Sequence, residues 1–349
     1  MEQPPTRYVR SADGVRIAWT ETGAGGATVV LAANQITDFR RDSPGTLRFE
    51  AVEWLIERFR VVRYDHRGTG SSQRKVERQG QDAWVEDLEA VVRASGGAPA
   101  IVIAPSQASP YGAVFTARHP ELVSHLVLHG AYPAGAKASG LEDEVSRSDA
   151  MIELIRVGWD APNPAARTLV VASLFPDMRP QELAWIANLP LMINREDALR
   201  FFSASALQDA RDFFPRIRTP TLVMATAEDP VVLPEWSRMV AASIPGAVYV
   251  ELPGRNHIPL KHDPSWGPYH DHLLAFVADP APRADRLACL SARERDILAG
   301  VCAGLSNEAI ALQRNISPKT VRNHLTSIFD KLRVRSRTQA ALLASGAAT

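Results

Sequence analysis

The chain has 349 residues, 46% hydrophobic and 22% charged, which excludes an intrinsically disordered chain and provides for one large domain plus a small one, or two medium ones. Its two cysteines, Cys289 and Cys302, exclude a disulfide framework and point to a reducing cytoplasm. The net charge is zero, yet residues 285–349 hold ten Lys and Arg against five Asp and Glu, leaving 29 against 34 elsewhere of the 39 of each sign; a basic end on an acidic body fits nucleic-acid contact and chance equally well.

The first residues carry no apolar core, so no signal peptide is expected, and no apolar run approaches the roughly 18 residues of a membrane-spanning helix. "RYVRSADGVRIAWTETG" (7–23) alternates around an Asp-Gly turn, and "ATVVLAA" (27–33) is a short apolar run; both read as strands. Helical spacing in "TLRFEAVEWLIERF" (46–59) leads into the strand "RVVRYDH" (60–66). The amphipathic helix "QDAWVEDLEAVVRAS" (81–95) is followed by the strand "AIVIAPS" (100–106), a helix through "YGAVFTARHP" (111–120) and the strand "HLVLHGAY" (125–132). β-Branched strands alternating with helices predict a mostly parallel sheet covered on both faces.

From about 134 to 218 the alternation breaks. This stretch is helical in pattern, punctuated by Pro162, Pro164, Pro176, Pro180 and Pro190, and contains Trp159, Phe175, Trp185, Phe201 and Phe202. It reads as a helical insertion lying over the strand ends as a lid. The alternation resumes with "TPTLVMATAED" (219–229), "PEWSRMVAASI" (234–244) and "AVYVELPG" (247–254). Residues 278–287, rich in proline and charge, read as a linker, which divides the chain into a domain over 1–277 and a smaller one over 288–349.

Ser106 ends an apolar strand and precedes a helix, with the small residues Ala104 and Ala108 two positions to either side. A strand-to-helix elbow needs small residues there, and it exposes the serine Oγ while freeing the next N–H for an oxyanion. A serine in that place equally serves as a helix cap. Two further residues favour the elbow: Asp229 just past one strand and His257 in the loop after another, both at C-terminal strand ends, where an open α/β sheet places its site. In that constellation His257 is the base for Ser106, and Asp229 orients the imidazole and stabilises its cation.

Residues 7 to about 277 resemble the α/β-hydrolase fold. The resemblance is carried by "YDHRGTGSS" (64–72), "RHPELVSHLVLHGAY" (118–132), "LVMATAEDPVVLPE" (222–235), "VELPGRNH" (250–257) and the order Ser…Asp…His. It implies a site under a helical lid. The His-Gly pair common after the third strand is replaced by Ala33-Asn34, so the second oxyanion donor is expected near Asn34 or Gln35, beside the Gln107 N–H. Loss of one such donor costs about 10²–10³ in rate, which predicts weakened catalysis. Asp65 and Arg67 are expected to hold a turn. His262, His270 and His272 lack accompanying carboxylates or cysteines at ligand spacing and read as solvated groups at a helix edge, so neither a metal nor a cofactor is expected.

The C-terminal segment has explicit helix starts: Ser291 with Glu294 as a capping box, Ser306 after Gly304, Ser317 before Pro318, and Ser336. In the third helix Val321, Leu325, Ile328, Phe329 and Leu332 form an apolar stripe, with Arg322, Asn323 and Thr326 on the opposite face. Cys302, within an apolar helix, reads as a core residue. A polar helix face is commonly just solvated, and a docking or dimerisation module would share it. "LSARERDIL", "GLSNEAIA", "ISPKTVRNHL" and "IFDKLRVRSRTQA" together resemble the LuxR-type helix-turn-helix. That resemblance implies double-stranded DNA as partner, with Arg322, Asn323 and Thr326 facing bases, Lys319, Thr320, Lys331 and Arg335 suited to phosphates, and a homodimer formed through the last helix with Leu342 and Leu343.

The expected function is a cytoplasmic regulator, nucleoid-associated when bound to its operator, whose hydrolase-like domain senses a small apolar or aromatic ligand and retains slow hydrolysis at most. The alternative is an active serine esterase or lactonase with a fused autoregulatory DNA-binding domain.

Overall fold

The computed structural model describes residues 5–34, 36–42, 46, 49–179, 186–278, 290–302, 305–314, 316–332, 334, 337, 340–341 and 344. Among them are eight strands: β1 (Arg7–Arg10), β2 (Arg16–Thr22), β3 (Thr28–Leu31), β4 (Arg60–Tyr64), β5 (Ala100–Pro105), β6 (Val123–His129), β7 (Thr221–Thr226) and β8 (Val248–Leu252). They form one sheet in the order β1-β2-β4-β3-β5-β6-β7-β8. The β1–β2 and β2–β4 pairs are antiparallel and the others parallel, so the sheet is mostly parallel as expected.

Both faces of the sheet are covered, which is why its central strands β3, β5, β6 and β7 are largely apolar and buried. Along β5, Val102 and Ala104 join a core with Leu88 of α2 (Gln81–Ser95), Val114 of α3 (Ala108–Arg118) and Val240 of α9 (Pro234–Ser243). The alternate residues Ile101 and Ile103 pack on the other face with Leu55 of α1 (Phe49–Ile56) and Leu273 of α10 (Trp266–Val277). The two-residue side-chain period of a strand sends one sequence into two cores.

Between β6 and β7 lie α4 (Ala136–Ser139), α5 (Glu142–Gly158), α6 (Ala165–Leu174), α7 (Leu189–Met192) and α8 (Arg195–Ser205). They enclose a core of their own around Ile155, Trp159, Met192 and Ala198, which Ile36 joins from the loop after β3. Gly158 lets α5 and α6 meet, since a Cβ there would stand 2.2 Å from that of Ala166. Trp159 buries its indole and donates its N–H to the Ile193 carbonyl at 3.0 Å.

The C-terminal helices are α11 (Ala292–Cys302), α12 (Asn307–Arg314) and α13 (Pro318–Leu332), packed around Ile297, Val301, Ile310, Val321, Leu325 and Ile328. Ser291 and Glu294 form the expected reciprocal cap, with Ser291 N donating to Glu294 Oε2 at 2.7 Å and Glu294 N to Ser291 Oγ at 3.2 Å. Ser306 and Ser317 accept from Ala309 N and Thr320 N. Cys302 is exposed rather than in the core, because it occupies the last turn of α11, beyond the stripe ending at Val301. Gly304, Ser336, Leu342 and Leu343 lie outside the described residues, as does nearly all of the expected linker.

Candidate functional site

The chain turns sharply from β5 into α3 at Ser106, whose φ of 51° lies in the left-handed region that non-glycine residues avoid. The turn is held by Ser106 N donating to the His129 carbonyl at 2.7 Å and Ser109 N donating to the Ser106 carbonyl at 2.8 Å. A Cβ on Gly112 would stand 2.6 Å from that of Ala104. The close strand–helix approach that glycine would permit at the strand side is thus supplied from the helix side.

At the end of β7, Asp229 receives two backbone N–H bonds on Oδ1, from Val231 at 2.8 Å and Val232 at 3.0 Å. Its Oδ2 lies 2.6 Å from His257 Nδ1, and both side chains are buried. Burial alone would raise the Asp229 pKa, but the hydrogen bond and charge of His257, with the two N–H donors, outweigh it and hold the carboxyl below its ordinary value. The carboxylate therefore fixes the tautomer with hydrogen on Nδ1, leaving Nε2 as the basic nitrogen. His257 Nε2 has no hydrogen-bond partner among the described residues. The ring lies against Gly130 at the end of β6 (φ 57°), where a Cβ would come within 2.7 Å of Cε1.

Two cavities flank these groups. One, of about 180 Å³, is lined by His257, Asn34 and His129 together with apolar residues of α1, β3, β5 and α6. The other, of about 410 Å³, is lined by Ser106 and Gln107 with residues of α4, α5, α8 and α9. Phe202 borders both. Asp229 and His257 are therefore paired, and Ser106 stands at the elbow facing the second cavity. Asn34 is on the His257 side, and Gln35 lies outside the described residues. Gln107 is buried, with its carbonyl accepting from Gln208 Nε2 at 3.1 Å.

The histidine loop is fastened to the helices above it. His257 N donates to the Leu174 carbonyl at the end of α6 at 2.9 Å, and Asn256 Oδ1 accepts from Asp177 N at 3.0 Å. Arg255 grips the Asp177 carboxylate with contacts down to 2.7 Å. Sequence reasoning missed both this clasp and His129, whose Nε2 lies 2.9 Å from the His257 carbonyl. Burial, reinforced by the charge of His257, lowers the His129 pKa to about 4.

Arg67 is fully buried and pairs twice with Asp87 at 2.7 Å, while Asp65 accepts from Phe39 N and Ser71 N; both tie down the turn after β4. No cluster that could hold a metal occurs among the described residues. His270 is not a solvated edge group: it is buried, its ring stacked on Trp54 at 3.9 Å, because the inner face of α10 covers the sheet.

On α13, Arg322, Asn323 and Thr326 are exposed, opposite the buried Val321, Leu325, Ile328 and Leu332. Lys319 is exposed at the first turn, and Thr320 joins its hydroxyl to the Ser317 cap at 2.8 Å. Lys331 bonds both oxygens of buried Glu294, at 2.8 and 2.7 Å. Arg335 lies outside the described residues.

Comparison with known proteins matches two families to separate parts of the chain. The family described as bacterial regulatory proteins, luxR family, matches residues 288–344, and serine aminopeptidase, S33, matches residues 50–258. Over the C-terminal segment the chain is 42% identical across 69 residues to the transcriptional regulatory protein FixJ of Rhizobium meliloti, covering 19% of this chain and 34% of that one. It is 49% identical across 57 residues to the HTH-type regulator YhjB of Escherichia coli, covering 16% and 28%. The chain thus spans about a third of the length of the curated relatives it matches. An esterase from Exiguobacterium antarcticum superposes with a TM-score of 0.66 at 20% identity, covering 79% of this chain and 100% of that one. The enol-lactonase of Burkholderia xenovorans does so at 0.55 and 22%, covering 78% and 100%. At such identities the likeness establishes the fold alone.

Proposed function

The chain belongs to the serine aminopeptidase S33 family of α/β-hydrolases and ends in a LuxR-family helix-turn-helix domain, and from that premise we propose that it is a cytoplasmic transcription regulator in which the hydrolase-fold domain senses a small apolar molecule. The observation that carries this reading is the pairing in one chain of cavities beneath a clasped helical lid with a helix whose polar face is exposed. A domain joined to a DNA reader serves it best by reporting a state. The ligand achieves this by binding one lid position more tightly than another, since equal affinity for both would shift nothing.

Operator DNA is bound as a homodimer, with Arg322, Asn323 and Thr326 reading bases and Lys319 on a phosphate. Duplexes selected from a random pool by the full chain test this. Arg322→Ala is expected to weaken the selected sequence by about 1–3 kcal/mol and to relax preference at one base position. Unchanged affinity and preference overturn the assignment.

Residual hydrolysis is a second reading, favoured by the strained Ser106 elbow and the 2.6 Å Asp229–His257 contact. In it, Ser106 Oγ attacks an ester carbonyl, its proton passes to His257 Nε2 and leaves with the alcohol as the C–O bond breaks; water, losing a proton to His257 Nε2, then attacks the acyl-serine and releases the acid and Ser106. Labelling by a fluorophosphonate, abolished by Ser106→Ala, supports slow turnover. Many turnovers per second on p-nitrophenyl esters would instead favour the active esterase or lactonase. Absence of labelling removes the hydrolase reading.

A further inference from the structure

The cavity beside His257 has a wall chemistry that specifies its occupant more narrowly than "small and apolar". Most of its lining is hydrocarbon or aromatic: Val52 and Leu55 from α1, Ile103 from β5, Leu174 at the end of α6, with Trp159 and Phe175. No lysine or arginine is among its lining residues. Three polar atoms at this lining, His129 Nδ1, His257 Nε2 and Asn34 Oδ1, are buried with no partner among the described residues.

Each of the three is an acceptor. The His129 Nε2 faces a carbonyl, which can only accept, so Nε2 carries the hydrogen and Nδ1 is bare. His257 Nδ1 faces a carboxylate and carries the hydrogen of the neutral ring, so that in the neutral ring Nε2 is the acceptor. The amide oxygen of Asn34 accepts by its nature. Burial keeps the His129 ring neutral at ordinary pH. Three bare acceptors with no cation in the lining favour O–H or N–H groups over carboxylates, which bring lone pairs to lone pairs and find only the Tyr269 hydroxyl as a side-chain O–H donor.

Size narrows the class further. An apolar cavity of about 150 Å³ takes up benzene, so about 180 Å³ accommodates one ring with small substituents. We propose that this cavity binds an uncharged single-ring molecule that donates a hydrogen bond, a phenol or an aromatic N–H compound, to the acceptors of His129, His257 and Asn34. Leu174 lines the cavity and also holds the His257 backbone through its carbonyl, so the occupant touches the lid and the histidine loop together. The proposal rests on the sensor reading only in assigning that ligand its class.

Calorimetric titration of the full chain with 4-ethylphenol, 4-ethyltoluene and 4-ethylbenzoate tests it. The phenol is expected to bind about tenfold or more tighter than the matched hydrocarbon and than the carboxylate. His129→Phe is expected to bring the phenol-to-hydrocarbon ratio close to one while keeping hydrocarbon binding. Should that variant fail to fold, Asn34→Leu carries the same expectation in weaker form, a ratio at least halved. Equal affinity for phenol and hydrocarbon, tightest binding of the carboxylate, no binding by any probe, or a ratio unchanged in the folded variants overturns the proposal. Operator affinity measured with and without 4-ethylphenol separates the two readings. Phenol binding that leaves the operator untouched supports the cavity chemistry and overturns the sensor. An operator response to the hydrocarbon as strong as to the phenol overturns the cavity chemistry and supports the sensor.

Discussion

Ser106 is where sequence pattern and backbone geometry meet. Its φ of 51° is costly for any residue with a Cβ and costs glycine nothing, so replacing the serine by glycine relieves strain that alanine retains. Urea unfolding is expected to find Ser106→Gly more stable than Ser106→Ala by about 1 kcal/mol; equality would mean that the turn carries no such strain. The elbow, Asp229 and His257 were legible because each follows an apolar strand in an order that one chemistry requires. His129 was not, since a histidine inside "HLVLHGAY" carries no local mark, and its partner is the carbonyl of a residue 128 positions away. Cys302 misled for a related reason: within one helical turn, the spacing of apolar residues does not fix where the buried stripe stops.

Among the elements, α13 shows how one helix divides its cations. Lys331 reads from sequence as a phosphate ligand, yet its ammonium lies on buried Glu294, which also accepts from Ser327 Oγ and caps α11 through Ser291 N. Lys331→Met is therefore expected to lower the stability of the helix-turn-helix by about 1–3 kcal/mol, through a buried carboxylate left short of donors. Lys319→Ala is expected to leave stability within about 0.5 kcal/mol and to reduce the salt slope of DNA binding by about one. Denaturation and salt titration of the two variants distinguish the roles, and a reversed outcome would return Lys331 to the DNA face. The Lys331 bond, with the Ser291 and Ser327 donors, holds the Glu294 carboxyl down at about 2 against an ordinary 4.5. A group depressed on folding contributes its stability in full above the unfolded value and loses it as pH falls through the folded one. Acid is thus expected to weaken the domain between about pH 4.5 and 2, and Glu294→Gln to remove that part of the slope; an identical pH profile in the variant would contradict it. The strands and most helices were legible from their periods, whereas this triad joins two helices and no period records it.

At the scale of the whole molecule, the proposed sensor role would make ligand and operator thermodynamic partners within the one chain that carries both families. A sensor exists only if the ligand changes operator affinity by some factor, and linkage then requires the operator to change ligand affinity by the same factor. The clasp supplies a physical route for the first step, because Leu174, Asp177, Asn256 and Arg255 tie the lid to the loop carrying His257. Asn256 is buried and bonded on both amide atoms, to Asp177 N and Asp263 Oδ1, so Asn256→Ala loosens the clasp without touching either cavity's lining. Allosteric factors are typically about 5–150-fold. Ligand titrations with and without saturating operator are expected to differ by a factor in that range, equal to the shift in operator affinity measured with saturating ligand, and Asn256→Ala is expected to shrink both together. A factor of one in the wild type would leave a hydrolase-fold domain tethered to a DNA reader with no message between them. Unequal factors would point to a linked third equilibrium, with self-association the first to be measured.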